Sequence, residues 1–165
     1  MLGEGGFNEG IIGRTVRKLF DEKQKIIDLS RGKSSIAMSV ELLEIYNEKV
    51  RDLLSSGKDE LKLTSNEVVG NILVETNTVD EVLQVLQLAH GRRCVKATNS
   101  NSESSRSHMI FTIHFKVTMN DGVTIRNGKV NICDLAGSER LDKSGANIVG
   151  VRFLYLLCMN EQRCF

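Results

Sequence analysis

The chain has 165 residues, 41% hydrophobic and 26% charged, with a formal net charge of +1. That length and composition suit one globular domain with a sizeable core. The near-zero charge excludes a global field that would recruit nucleic acid or a membrane surface, so any basic site is local. The four cysteines, Cys94, Cys133, Cys158 and Cys164, show no CxxC or Cys/His metal spacing, and no secretory signal opens the chain. They read as reduced thiols of an intracellular protein. The apolar run from Val151 to Met159 is too short to span a bilayer.

In chain order, MLGEGGFNEG reads as a glycine-rich loop. A helix is predicted from Arg14 to Ile27, with Val16, Leu19, Phe20, Lys23 and Ile27 along one stripe. SIAMSVELLEIY, Ser35 to Tyr46, carries β-branched Ile36, Val40 and Ile45 and reads as a core strand. VRDLL, from Val50, reads as a short turn or helix. Glu60 to Thr76 holds two short apolar pieces around an Asn-Glu-Val-Val-Gly tip, which predicts a small hairpin. Thr78 with Glu81 forms a capping box, and Val79, Val82, Leu83, Leu86 and Ala89 continue at helical spacing to about Arg93.

After a polar stretch, Met109, Phe111, Ile113, Phe115 and Val117 alternate with Ile110, Thr112, His114, Lys116 and Thr118, as a strand requires. Asp121-Gly122 and Asn127-Gly128 read as turns, and a further apolar strand runs from Val130 to Asp134. Helices and strands interleave, so the fold class is α/β. No internal repeat or low-complexity segment is present.

Two polar segments flank this last pair of strands: Asn101 to His108 before the first, Asp134 to Arg140 after the second. If the strands are neighbours, their far ends meet, and Ser104 and Ser105 face Asp134. Hydroxyl and carboxylate oxygens are ligands that magnesium favours. Gly137 offers an amide that a phosphate can approach closely. Arg106 and Glu139 are opposite charges on the two segments, suited to latching them. Each element has a plainer reading: Asp-x-x-Gly is common, and a serine-rich stretch is usually a solvated loop. Arg92-Arg93 reads as the basic last turn of a helix, and His108 as a structural histidine.

SSRSH downstream of Asn101, and DLAGSER from Asp134, resemble the switch I (101–108) and switch II (134–139) motifs of kinesin motor domains. EGIIGRTVRKLF, VELLEIYNEKVRDLL and RLDKSGA resemble kinesin segments in family order. VELLEIYNEKVRDLL and SSRSHMIF lean toward kinesins with a C-terminal motor. The resemblance covers about residues 1–147, as a partial motor domain, and leaves 148–165 as a divergent tail.

It implies a central mixed β-sheet flanked by helices, of the P-loop NTPase kind, with ATP and Mg2+ at its edge. Hydrolysis would be coupled to movement along microtubules, in the cytoplasm and on the cytoskeleton. By motif position, Ser105 would approach magnesium and Ser104 the γ-phosphate and attacking water. Asp134 would hold magnesium through water, and the Gly137 amide would sense the γ-phosphate. Arg106 and Glu139 would form the salt bridge that closes the site. Tubulin contact would involve the hairpin around Leu61 to Glu75, through Lys62, and the loop Arg140 to Ala146, through Arg140 and Lys143. The hairpin tip, residues 65–70, carries Glu67 and no basic residue, against expectation for an acidic partner surface. The resemblance implies no nucleic-acid or membrane partner, and leaves dimerisation to segments that this sequence does not hold.

The sequence departs from the family in one respect that bears on activity: it holds no GxxxxGK[ST] phosphate cradle. GEGG at Gly3 to Gly6 lacks the Lys-Ser/Thr pair, Gly13 stands where many members have proline, and the text after Ala146 does not match. The expectation is a motor fragment, inactive by itself, that starts a few residues past the cradle. Its text after Ala146 comes from a read-through intron, a frame change or a faulty gene model, with a genuine divergent tail as the second reading. The alternative is a non-catalytic kinesin-like protein that binds microtubules or a partner. A GTPase, which shares the DxxG element, is set aside because no Asn-Lys-x-Asp guanine reader is present.

Overall fold

Residues 35–46 form a single strand without interruption, matching the run of β-branched and aliphatic residues that predicts it. The computed structural model describes residues 3–5, 8–57, 60–64, 67–97, 107–119 and 121–136. Their elements, in order, are β1 (Gly3–Gly5), β2 (Asn8–Glu9), α1 (Ile11–Leu29), β3 (Ser35–Tyr46), β4 (Lys49–Asp52), β5 (Lys62–Leu63), β6 (Val68–Val69), β7 (Val74–Glu75), α2 (Val79–Ala97), β8 (His108–Thr118) and β9 (Ile125–Asp134). The principal sheet has the order β4-β3-β8-β9, with β7 also paired to β3. The class is therefore α/β, and β8 and β9 are neighbours as the candidate site requires.

The chain divides into two compact units, Met1–Val40 with Leu73–Gln87 and Thr112–Ile132, and Glu41–Ile72 with Leu88–Phe111 and Cys133–Phe165. In the first, Ile12, Val16, Ile36, Met38, Val40, Val82, Leu86 and Ile113 are buried. α1 begins three residues before the predicted Arg14, because Ile12 and Gly13 extend the buried stripe of Val16 one turn toward the N-terminus. α2 opens on the predicted cap: the Glu81 amide donates to Thr78 Oγ1 at 3.2 Å. The Glu81 carboxylate reaches one residue further back than a standard box and accepts from the Asn77 amide at 2.7 Å. The helix continues to Ala97, so Arg92 and Arg93 do not lie in its last turn. Asp121-Gly122 turns as predicted, with Gly122 at φ 69 and the Asp121 carboxylate accepting from the Val123 and Thr124 amides.

In the second unit Leu43, Ile45, Val50 and Ile110 form a buried cluster, with Leu61, Val68 and Cys133 packed against it. Here the structure corrects two sequence readings. VRDLL is not a turn or helix: Val50 to Asp52 lie in β4, antiparallel to β3 with Ile45 opposite Val50 and Leu43 opposite Asp52. The two-residue turn between them, Asn47 (φ 48) and Glu48 (φ 63), is left-handed at both positions. That is the geometry Asn-Gly announces, and Asn-Glu conceals it. The hairpin of β5 and β6 pairs Lys62 with Val69 and Leu63 with Val68, so Val68 and Val69 are strand and not tip.

Two corrections concern β8 and β9. Asn127-Gly128 makes no turn but lies inside β9, where Gly128 has open space around it. In β8, residues 109–113 are buried on both sides, so strict alternation fails there. An interior strand has neighbours over both faces, and the period-2 signal fades.

Candidate functional site

β9 ends at Asp134 and β8 begins at His108. α2 supplies a third element to this corner through Arg93, whose side chain is 8% exposed. Its Nη2 donates to the Ser107 backbone carbonyl at 3.0 Å and to Ser107 Oγ at 3.1 Å. Nη1 donates to Asp134 Oδ2 at 3.3 Å, and Nε lies 3.6 Å from Glu44 Oε1 on β3. The guanidinium fork thus joins β3, the residue just before β8 and the end of β9 at one point, a geometry that Lys cannot supply. Asp134 keeps 39% of its side chain exposed.

His108 is half-buried beside this network. Its Nδ1 accepts the Ala136 amide proton at 3.1 Å, linking the start of β8 to the chain just beyond β9. Burial, and secondarily the Arg93 charge, holds the imidazole pKa below its ordinary 6.5. Behind the corner, Arg92 Nη1 donates to the Leu53 and Ser55 carbonyls at 3.0 and 3.2 Å. The buried Asp52 carboxylate accepts from the Leu54 and Ile72 amides, each at 2.7 Å. These bonds satisfy backbone groups of the irregular stretches after β4 and before β7.

Of the residues predicted for the site, Asp134 stands at the end of β9, and Lys62 is exposed on β5, in a separate two-stranded sheet. Ser104, Ser105, Arg106, Gly137, Glu139, Arg140 and Lys143 lie outside the described residues. Among the described residues no group of three or more His, Cys, Asp or Glu is placed to hold a metal ion, and no helix is long and apolar enough to cross a membrane. Arg93, Ser107 and Glu44 were not expected at the site. A signal for Arg93 existed: Val82, Leu86 and Ala89 are buried on α2, and Arg93 continues their four-three-four spacing onto the core face. A charged residue on an apolar stripe needs a buried counter-charge.

The sheet order, with helices interleaved among its strands and a carboxylate beside a buried arginine at one strand end, defines an α/β domain. The family model "Kinesin motor domain" matches residues 1–152. The chain belongs to the kinesin motor domain family. It is 37% identical over 150 residues to the kinesin-like protein KIF11 of Mus musculus, covering 83% of this chain and 14% of that protein. It is 36% identical over 143 residues to kinesin-like protein 3 of Schizosaccharomyces pombe, covering 84% of this chain and 25% of that one. The solved structure of a fast kinesin superposes with a TM-score of 0.78 at 30% identity, covering 95% of this chain and 46% of that chain. The chain therefore spans a minor part of the length of the proteins it matches.

Proposed function

We propose that this chain is the switch-bearing part of a kinesin-like microtubule motor that binds and hydrolyses ATP with Mg2+. The observation that carries the reading is the adjacency of β8 and β9 in the sheet, with SSRSH at the mouth of one and DLAGSER at the mouth of the other. The Asp134 carboxylate is a hard oxygen donor, partly exposed at the strand end, and it fits a magnesium ion that keeps its waters. Bound Mg2+ supplies charge neutralisation at the phosphates.

In this reading Asp134 holds magnesium through water, Ser105 approaches it directly, and Ser104 positions the γ-phosphate and attacking water. The Gly137 amide senses the γ-phosphate, and Arg106 with Glu139 closes the site. Arg93 fixes the direction of the Asp134 carboxylate. Lys62, Arg140 and Lys143 face tubulin, and the protein acts in the cytoplasm on the microtubule cytoskeleton.

Alone, the 165-residue chain neither binds ATP tightly nor hydrolyses it. Hydrogen bonds to charged groups contribute roughly 1.5–3 kcal/mol each. Lacking about four from a phosphate cradle costs at least ~6 kcal/mol, on the order of ten-thousandfold in affinity. Equilibrium binding of a fluorescent ATP analogue tests this, and micromolar affinity overturns the inactivity. The longest native transcript tests the motor itself. If it encodes no GxxxxGK[ST], a non-catalytic microtubule- or partner-binding protein takes its place.

A further inference from the structure

We propose that His108 is a positioning residue for the segment after β9: as the neutral imidazole it accepts the Ala136 amide proton and fixes the backbone one residue ahead of Gly137. The inference rests on the reading of that segment as a nucleotide sensor. It stands on a single contact between residues 28 apart in sequence, His108 Nδ1 and the Ala136 amide nitrogen, at 3.1 Å.

The His108 end of this contact is rigid. His108 is the first residue of β8, followed by Met109 to Ile113, all buried, and preceded by Ser107, which Arg93 holds by both carbonyl and hydroxyl. At the other end, Ala136 is partly buried and lies two residues past the last residue of β9. Leu135 is 56% exposed, and β9 has already ended. Side-chain burial does not anchor Leu135, so a hydrogen bond to the Ala136 amide has an outsized effect on where that backbone lies. Ala136 immediately precedes Gly137 in sequence.

An imidazole accepts at Nδ1 only while that nitrogen is unprotonated, with the proton on Nε2. Burial and the Arg93 charge both favour the neutral form. Among the described residues, Arg93 on α2 is the charge that bears on the imidazole, and it pairs with Glu44 on β3 and Asp134 on β9.

The test is amide hydrogen exchange by NMR on the 15N-labelled full chain, comparing wild type, His108→Phe and His108→Asn. Phe fills the ring volume without an acceptor, whereas the Asn Oδ1 can occupy the position of Nδ1. The expected result is exchange at Ala136 about threefold to tenfold faster in His108→Phe, as the loss of one neutral hydrogen bond implies. The Phe111 and Ile113 amides stay as in wild type, and His108→Asn restores slow exchange at Ala136. Unchanged exchange at Ala136 in His108→Phe overturns the proposal. So does faster exchange spread through Phe111 and Ile113, which would make His108 a packing residue. An Asn variant as fast as Phe also overturns it. No nucleotide enters the measurement, so a failure of the ATP reading is seen separately, in the binding experiment.

Discussion

Replacing Arg93 by methionine tests how the corner at the end of β9 is held. The substitution keeps an unbranched apolar stem of similar reach but removes every donor. Two carboxylates lose their partner, and they are not equivalent. Asp134 is 39% exposed and regains water, so its loss is worth little, in the range of surface pairs, about 0–1 kcal/mol. Glu44 is 7% exposed and is left as a buried charge, for which breaking one side of a pair costs roughly 3–5 kcal/mol. Ser107 also loses two donors, to its carbonyl and its hydroxyl. Glu44 therefore dominates, and the expected loss is about 3–5 kcal/mol, a large share of the roughly 5–15 kcal/mol that holds a typical domain. Urea unfolding followed by circular dichroism at 222 nm measures it. Adding Glu44→Gln to Arg93→Met removes the stranded charge and should recover at least about half of the loss. A single variant within about 1 kcal/mol of wild type, or a double variant no better than the single, would refute the reasoning.

Three further predictions follow the same logic. Because the His108 pKa is lowered in the folded state, the unfolded chain binds that proton more readily. The stability it contributes is complete above pH 6.5 and is lost as pH falls through the lower folded value. The urea midpoint of wild type should therefore drop relative to His108→Asn between pH 7.5 and pH 5, and parallel curves would dismiss the idea. Glu48→Gly relieves a left-handed residue, φ 63, and makes the turn Asn-Gly; a gain of about 0.5–1 kcal/mol is expected in thermal unfolding, and a loss would count against it. Thr78→Ala removes the oxygen that caps the Glu81 amide and should cost about 1 kcal/mol in the same assay; no change would mean that the cap is idle.

The sequence alone determined whatever depends on neighbours along the chain. β3 was read to its end residues because continuous β-branched and aliphatic text has one local solution. The cap at Thr78 is legible because its partners lie three residues apart, and the family is legible because SSRSH and DLAGSER are contiguous strings. Asp134 was placed at a strand mouth for the same reason. What failed were elements whose conformation is set by pairing with another strand. Val50 to Asp52 is a strand because Leu43 to Ile45 lies beside it, not because VRDLL prefers one. Asn127-Gly128 stays extended inside β9 although its residue types favour a turn. Tertiary structure alone decided the corner itself. Glu44, Arg93, Ser107 and Asp134 are spread over 91 positions, and a buried charge pair exists only once packing excludes the water that would otherwise solvate each member.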